Sequence, residues 1–326
     1  MRRPRFGSAA SLLALALAAG CAPAPAPRAA QPAPVTAAEP EAVSLFGKPL
    51  FAPPLSPERR KEFEARLSEA RSRYEANPSD PDAILWLGRR TAYLGRYREA
   101  IAIFTAGLEE YPADPRFYRH RGHRYLTTRR FDLAAADLEK AAALAAGKPD
   151  EIEPDGLPNA RNIPTSTTNS NIWYHLGLAR YLQGDFEGAL AAYRECLSFS
   201  KNPDGLVSTS HWLYMTLRRL DREAEARRVL EPIVEGMDVI ENDDYERLLR
   251  MYQGKVSPES LLEEASASGS ALGLATVGYG VGNWYLYNGR RQEAFATFRR
   301  ILEGGQWPSF GYIAAEADSK RLGLRP

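Results

Sequence analysis

The sequence predicts an all-α fold built from short helices stacked in pairs, and three observations lead to this prediction. Apolar residues recur at helical spacing through most of the chain after residue 55. Small and aromatic residues recur at a fixed distance: Gly88 and Gly122 lie 34 residues apart, and Tyr214 and Gly282 lie 68 apart, which is twice that period. No stretch of the sequence alternates apolar and polar residues as a strand would. A period of this size predicts a solenoid of repeated helix pairs.

The clearest copy of the repeat is Asn171–Leu197. It contains an aromatic residue, Leu-Gly, a turn glycine, and an alanine followed four residues later by a second aromatic residue: Trp173, Leu176, Gly177, Gly184, Ala189 and Tyr193. This pattern resembles the tetratricopeptide repeat (TPR). The small residues are expected where the two helices of a pair touch. One pair cannot bury its apolar face alone, so copies of the pair must stack. The resemblance implies that they stack into a right-handed superhelical solenoid.

The other copies follow in order along the chain. A helix that begins at Ser56-Pro57 and ends at Asn77-Pro78 is predicted to cap the N-terminal end, and Ser309–Leu322 is predicted to cap the C-terminal end. Between them the predicted repeats are Pro81–Asp114, Pro115–Lys148, Asn171–Leu197, Val207–Ile240, a degenerate pair made of Asp243–Tyr252 and Pro258–Ala267, and Ala275–Pro308. The solenoid is therefore expected to cover residues 56–326 with about six repeats.

Two segments precede the predicted solenoid. Residues 1–20 have a positively charged start and a short apolar stretch, which predicts an export signal. The apolar stretch is too short to span a bilayer. Residues 21–55 are rich in alanine and proline, which favour an extended, disordered tether.

A specific arrangement lies at the end of the export signal. Leu17-Ala-Ala-Gly-Cys21 resembles the lipobox of bacterial lipoproteins, although Ala18 stands where leucine is usual. The resemblance implies that Cys21 is acylated and that Ala22 directs the protein to the outer membrane, on the periplasmic side. The alternative is an ordinary cleaved signal in which Cys21 is an incidental thiol.

Composition and residue types argue against several other functions. A net charge of +1 and a pI near 7.7 give no reason to expect nucleic-acid binding. His120 and His123 are spaced to share a metal, but a zinc site needs three or four protein ligands and no third is evident nearby. They are interpreted as polar residues on an exposed helix face, and Cys196 as a core residue. The sequence predicts neither catalysis nor a cofactor or metal.

The TPR resemblance implies a concave groove lined by the first helix of each pair. Residues at set positions of the repeat commonly face that groove. In this sequence they are Arg89, Tyr93, Arg119, His123, Tyr174, Tyr181, His211, Arg218 and Arg219. This mixture of cations and aromatics suits a carboxylate or an acidic peptide with apolar anchors. For each residue the alternative is a solvated arginine or an aromatic ring packed on the next repeat.

An insertion of 21 residues interrupts the repeat period, within Gly147–Ser170. Loops of this length in a compact domain are usually functional or disordered. Asn159, Arg161 and Asn162 can donate or accept hydrogen bonds, and Leu157 and Ile163 could pin the loop onto the groove. An ordered loop that lines the binding face is therefore predicted. The acidic residues of the loop lack the spacing of a calcium site and are interpreted as a solvated run.

The C-terminal third resembles NlpI-type TPR lipoproteins of Gram-negative bacteria. The residues that carry the likeness are Trp212-Leu213-Tyr214, Leu220-Asp221-Arg222-Glu223, Tyr252-Gln253-Gly254, Ser257, Tyr285-Leu286 and Gly289. Such proteins are outer-membrane adaptors that dimerise and bring proteases together with peptidoglycan hydrolases. The long tether and the insertion are departures from that family.

The leading hypothesis is a non-catalytic envelope scaffold that binds other envelope proteins through the groove and the insertion loop. The alternative is a receptor for a small envelope ligand, such as a peptide, a muropeptide or a glycan, held by Trp173, Tyr174 and Arg161. A metal hydrolase is the third possibility. Membrane contact is expected through the lipid anchor alone, and a homodimer is compatible with the family resemblance.

Overall fold

The computed structural model describes residues 39–324. This part of the chain is almost entirely helical, with one small hairpin at its start. The strands are β1 (Ala42–Val43) and β2 (Pro49–Leu50), and the helices are α1 (Pro57–Ala76), α2 (Pro81–Tyr93), α3 (Tyr97–Glu110), α4 (Pro115–Thr127), α5 (Phe131–Ala145), α6 (Thr168–Gln183), α7 (Phe186–Phe199), α8 (Pro203–Arg219), α9 (Glu223–Val229), α10 (Asp243–Tyr252), α11 (Pro258–Ala267), α12 (Ala271–Tyr287), α13 (Arg291–Leu302) and α14 (Phe310–Arg321). The predicted all-α fold is confirmed.

Side-chain caps followed by proline define where many of the helices begin. Ser56 accepts a hydrogen bond from Arg59 N at 3.2 Å and precedes a proline in the first turn of α1. Asp80 and Asp114 cap α2 and α4 in the same way, each followed by proline. The predicted N-terminal helix and the degenerate pair α10 and α11 are confirmed at the predicted bounds.

The two helices of a pair touch through glycine, as the sequence predicts. A Cβ at Gly177 would lie 2.6 Å from a ring carbon of Tyr193, and one at Gly88 would lie 2.4 Å from Phe104. Gly122 and Gly282 stand in the equivalent places against Leu138 and Phe298. A larger residue at these positions would separate the helices, because a large side chain of the partner helix already fills the space.

The structure differs from the expected tether at residues 39–55. These residues form the hairpin β1–β2, with Ala42 opposite Leu50, and they pack on the solenoid. Trp307 Nε1 donates to Phe51 O at 2.8 Å, and Leu45 N donates to Glu316 Oε1 at 2.8 Å. The export signal, Cys21 and the rest of the tether lie outside the described residues.

The C-terminal helix α14 does more than cap the last repeat. It packs on α12 and α13 and also reaches α6. Glu316 accepts from Arg129 Nε at 2.8 Å, at the turn between α4 and α5, and Asp318 accepts from Arg219 of α8 at 2.9 Å. It therefore folds back onto helices that precede it by several repeats. None of the helices in residues 39–324 is long and apolar enough to cross a membrane.

Candidate functional site

The first helices of successive pairs form one continuous surface, which we call the inner face. Helices α2, α4, α6 and α8 contact one another in order along this surface. The predicted groove residues all belong to these four helices. The inner face is not an open trough, however, because the insertion loop and α14 both lie across it.

The insertion loop leaves and returns to the solenoid at one place. Thr168 N donates to Glu151 O at 2.8 Å, and Ile152 pairs with Thr167 as an isolated antiparallel bridge. We call residues 152–167 the strap loop. The two ends of the strap loop are therefore hydrogen-bonded to each other. A short linker could replace the loop and still connect α5 to α6.

One half of the strap loop is bound by arginines of α2 and α4. Arg89 Nη2 donates to Pro154 O at 2.7 Å, and Arg90 Nη1 donates to Gly156 O at 2.6 Å. Arg119 forms an ion pair with Glu153 at 2.9 Å, and both side chains are about nine-tenths buried. The inner face thus holds an extended segment by its backbone carbonyls and by one carboxylate. The insertion loop is ordered on this face, and its role in lining a binding surface stays a prediction.

The other half of the strap loop is attached to the segment between α9 and α10. Arg161 pairs with Asp238 at 2.6 Å, and Asn159 Nδ2 donates to Glu241 at 3.3 Å. Asn162 has a φ of 53° and forms the turn at the loop tip, where its backbone N donates to Asn159 O. Asn159 and Arg161 therefore hold the loop in place in this structure.

Two neighbouring cavities lie beneath the strap loop. The inner cavity has a volume of about 330 Å³, and the residues that define it here are Arg119, His123, Tyr174, His175, Tyr245 and Phe310. The basic pocket has a volume of about 100 Å³, and its defining residues are Arg89, Tyr93, Arg119, His123, Arg124 and Glu153. The cavities adjoin because Arg119 and His123 line both. Phe310 belongs to α14, so that helix closes one side of the inner cavity.

The histidines at this site are neutral; His120 and His175 are buried, and His123 is half-buried. Arg119 Nη1 lies 3.0 Å from His120 Nδ1, and since a guanidinium can only donate, that nitrogen accepts. His123 and His175 have ring centroids 4.4 Å apart. Desolvation, with added repulsion from nearby arginines, holds the pKa of His120, His123 and His175 well below 6.5. The interpretation of His120 and His123 as an exposed helix face is therefore wrong.

The side chains that line the two cavities offer hydrogen-bond donors, hydrogen-bond acceptors and aromatic rings. Among residues 39–324, no group of three or more His, Cys, Asp and Glu side chains is placed to hold a metal ion. Cys196 is buried, as predicted, and its Sγ contacts Ser170 O and Thr209 at 3.3 Å. Burial raises the pKa of this thiol to about 11, so it is protonated at neutral pH.

Several predicted groove residues are used inside the protein. Tyr181 and His211 are each 1 % exposed, and the hydroxyls of Tyr181 and Tyr279 lie 2.8 Å apart. Arg219 pairs with Asp318 of α14, and Arg218 lies over the ring of Tyr287 at 4.5 Å. Tyr181 and His211 are buried and Arg219 is held by α14, so the prediction that these three line an open groove is wrong. Arg218 is half-buried, and its place in a groove stays a prediction.

The three residues proposed to hold a small ligand do not meet. Tyr174 lines the inner cavity, whereas Trp173 lines a shallow, alanine-rich hollow between α5 and α7. Arg161 is exposed on the strap loop. Sequence reasoning also missed Arg124, His175, Tyr245 and Phe310. Of these four, only His175 could have been found from the sequence. It stands two residues before Gly177, and His120 stands two residues before Gly122, so the two histidines occupy the same position of the repeat.

One helix pair of the solenoid matches a known family. The sequence model of the tetratricopeptide repeat family matches residues 170–203. The chain contains a tetratricopeptide repeat. This matched TPR consists of α6 and α7, the pair from which the sequence pattern was first recognised.

One curated relative and several solved structures are also similar. The heat-shock protein cognate co-chaperone sgt12 of Aspergillus fumigatus is 26% identical over 176 residues, which are 54% of this chain and 44% of that protein. The chain thus spans less than half the length of this relative. The structure of YrrB, described as a TPR protein with an unusual peptide-binding site, is 15% identical, with a TM-score of 0.42, over 78% of this chain and 99% of YrrB. A structure of MamA is 15% identical, with a TM-score of 0.41, over 61% of this chain and 96% of MamA.

Proposed function

We propose that this protein is a non-catalytic adaptor of the cell envelope that binds extended, acidic segments of partner proteins on its inner face. The observation that carries the proposal is the strap loop, which the inner face already binds as it would bind a peptide. The TPR and the distant co-chaperone relative support a role in protein–protein interaction.

The contacts of the strap loop define the partner that would fit. Arg89 and Arg90 bind backbone carbonyls, which any extended segment presents. Arg119 binds the carboxylate of Glu153, which selects for an acidic residue at one position. A Cβ at Gly156 would lie 1.6 Å from Tyr93 Oη. A bound segment therefore needs glycine at the position that corresponds to Gly156. A partner segment with these features would compete with the strap loop.

A peptide taken from the loop tests the proposal directly. The strap loop is shortened by replacing residues 153–166 with a short Gly-Ser linker, and a synthetic peptide of residues 150–163 is titrated by fluorescence anisotropy. We expect binding, weakened about tenfold or more by Glu153→Gln in the peptide, because a hydrogen bond to a charged group contributes about 1.5–3 kcal/mol. Glu151→Gln, at an exposed position, is the matched control and should change little.

Crosslinking in cells extends the test to natural partners. A photoreactive residue at Tyr93 should capture envelope proteins more strongly when Gly156→Ala loosens the strap loop. Equal peptide binding by the Glu153→Gln and control peptides, or crosslinking that recovers no protein with the loop shortened, would contradict the adaptor function.

The location in the envelope rests on the Leu17–Cys21 segment. We propose that Cys21 carries the lipid that holds the protein to the outer membrane. Metabolic labelling with a palmitate analogue should mark the full chain and should fail for Cys21→Ser. Labelling that persists in Cys21→Ser, or an unlabelled wild-type chain in the soluble periplasmic fraction, would overturn this part of the proposal.

The inner cavity favours a second candidate function, a receptor for a small envelope ligand such as a peptide, a muropeptide or a glycan. A volume of about 330 Å³ lies at the lower end of the range for small-molecule sites. Tyr174 and Tyr245 offer aromatic faces, and Asn171 and Asn242 offer hydrogen-bonding groups on the same cavity. Heat of binding for any of these ligands, measured by calorimetry, would support it.

A further inference from the structure

The basic pocket holds more positive than negative charge. Three guanidinium groups line it, those of Arg89, Arg119 and Arg124, and the carboxylate of Glu153 faces them. No second carboxylate lines the pocket among the residues that the structure describes. The histidines add no charge because they are neutral. The pocket therefore has a formal charge of about +2 in a partly desolvated space.

Arg124 is the cation with the fewest compensating contacts. None of the ion pairs formed within residues 39–324 includes it, and its guanidinium lies 5.6 Å from the centre of the Tyr97 ring. Burial lowers the pKa of Arg124 to about 10, which still leaves it charged at neutral pH. Arg124 is half-buried, and a partly desolvated charge without a counter-ion is unfavourable, so an anion that enters the pocket would be stabilised.

Arg119 provides a second, independent indication. It is 7 % exposed, and its Nε is buried without a hydrogen-bond partner in the described structure. Its other nitrogens already contact His120 and Glu153. Since Arg119 lines both cavities, a ligand that spans them would satisfy this donor.

We infer that the basic pocket binds the oxyanion group of a small acid, a carboxylate or a phosphate, and that the body of the acid occupies the inner cavity. Arg119 and Arg124 bind the anionic group. Tyr174 and Tyr245 contact the body. The inference rests on the second candidate function, that the inner cavity is a ligand site, and it names the class of ligand.

The cover over the cavities favours a small molecule over a polypeptide. Thr165 and Ser166 of the strap loop and Phe310 of α14 line the inner cavity from two sides. A long chain would have to displace one of these elements, whereas a small acid fits beneath both. This ligand site adjoins the surface on which the strap loop lies and shares Arg89 and Arg119 with it.

Matched pairs of charged and uncharged probes test the inference. The purified full chain is titrated by calorimetry with succinate and succinamide, and with glucose 6-phosphate and glucose, with inorganic phosphate as a separate probe. We expect at least one acid to bind with a dissociation constant at least tenfold lower than its uncharged partner. The two acid arms distinguish a carboxylate from a phosphate.

Two variants locate the site. Arg124→Gln should weaken binding of that acid by about 10-fold or more, since a hydrogen bond to a charged group is lost. Arg130→Gln, six residues later and exposed on the turn after α4, is the matched control and should leave binding unchanged. Without ligand, Arg124→Gln should melt no lower than the wild type, because it removes an uncompensated cation.

Three outcomes would overturn the inference. They are acids and uncharged partners that bind equally, acid binding that Arg124→Gln leaves intact, and no binding by any probe up to millimolar concentration. Equal binding of the uncharged partners would refute the oxyanion site while leaving the receptor function supported. Binding of a muropeptide when all five probes fail would also refute the oxyanion site and support the receptor function.

Discussion

Arg129 both forms the turn between α4 and α5 and binds Glu316 of α14 in a buried ion pair. Arg129 has a φ of 64°, at the turn between α4 and α5 where other pairs have a glycine, such as Gly95 and Gly184. Both charged side chains are 2 % exposed, and Glu316 also accepts from Leu45 N. A side chain at this turn is thus tolerated because it binds α14, in spite of a backbone conformation that favours glycine.

Replacing Glu316 by glutamine should destabilise the fold strongly. Arg129 would remain buried without a counter-ion, which costs about 3–5 kcal/mol. The free energy of unfolding from urea denaturation measures this. Glu139→Gln, which removes an exposed partner of Arg180, is the control and should cost less than about 1 kcal/mol. Similar losses of stability in both variants would show that the buried Arg129–Glu316 pair contributes no more than the exposed Arg180–Glu139 pair.

At the scale of elements, α14 connects repeats that are far apart in the sequence. A solenoid is normally stabilised by contacts between neighbouring repeats alone. Here Arg321 of α14 donates to Leu182 O at 2.9 Å, and Glu316 reaches a residue 187 positions away in sequence. These contacts join early and late repeats, so they should make unfolding more cooperative than in a simple solenoid.

Removing α14 tests this coupling. The wild-type chain should unfold in one transition, with circular dichroism and tryptophan fluorescence giving the same curve in urea. A chain that ends at residue 308 should unfold at a lower urea concentration, and its two curves should separate. Removing residues 323–326 alone is the control and should change neither. Coincident curves after removal of α14 would contradict the coupling.

At the scale of the whole molecule, all four histidines of the chain lie in the helical inner layer. They are His120, His123, His175 and His211. Desolvation lowers the pKa of His211 to about 3, and the other three are also shifted well below 6.5. The unfolded chain, with ordinary histidines near 6.5, therefore binds more protons than the folded chain in mildly acidic solution.

This difference predicts that stability falls as the pH drops below about 6.5. Each histidine that stays neutral should lower the free energy of unfolding by about 2 kcal/mol at pH 5 relative to pH 8. Urea denaturation at several pH values measures the slope. The slope should decrease by about one proton in His211→Gln. An unchanged slope in that variant would mean that His211 titrates normally in the folded state.

The sequence alone determined the repeats, the bounds of the terminal helices and of the degenerate pair, and the contacts inside each pair. Caps such as Ser56, glycines such as Gly177 and the 34-residue spacing act between residues that are close in sequence, so their pattern is visible without a structure. Arg89, Arg119 and His123 were also placed on the inner face by this local reasoning.

Only the tertiary structure decided what covers the inner face. The strap loop and α14 bind there through pairs such as Arg119–Glu153 and Arg129–Glu316. These pairs join residues that share no repeat position, so no periodic signal predicts them. The same packing removes water from the histidines and from Arg124, and it therefore sets their charges, which residue identity by itself cannot determine.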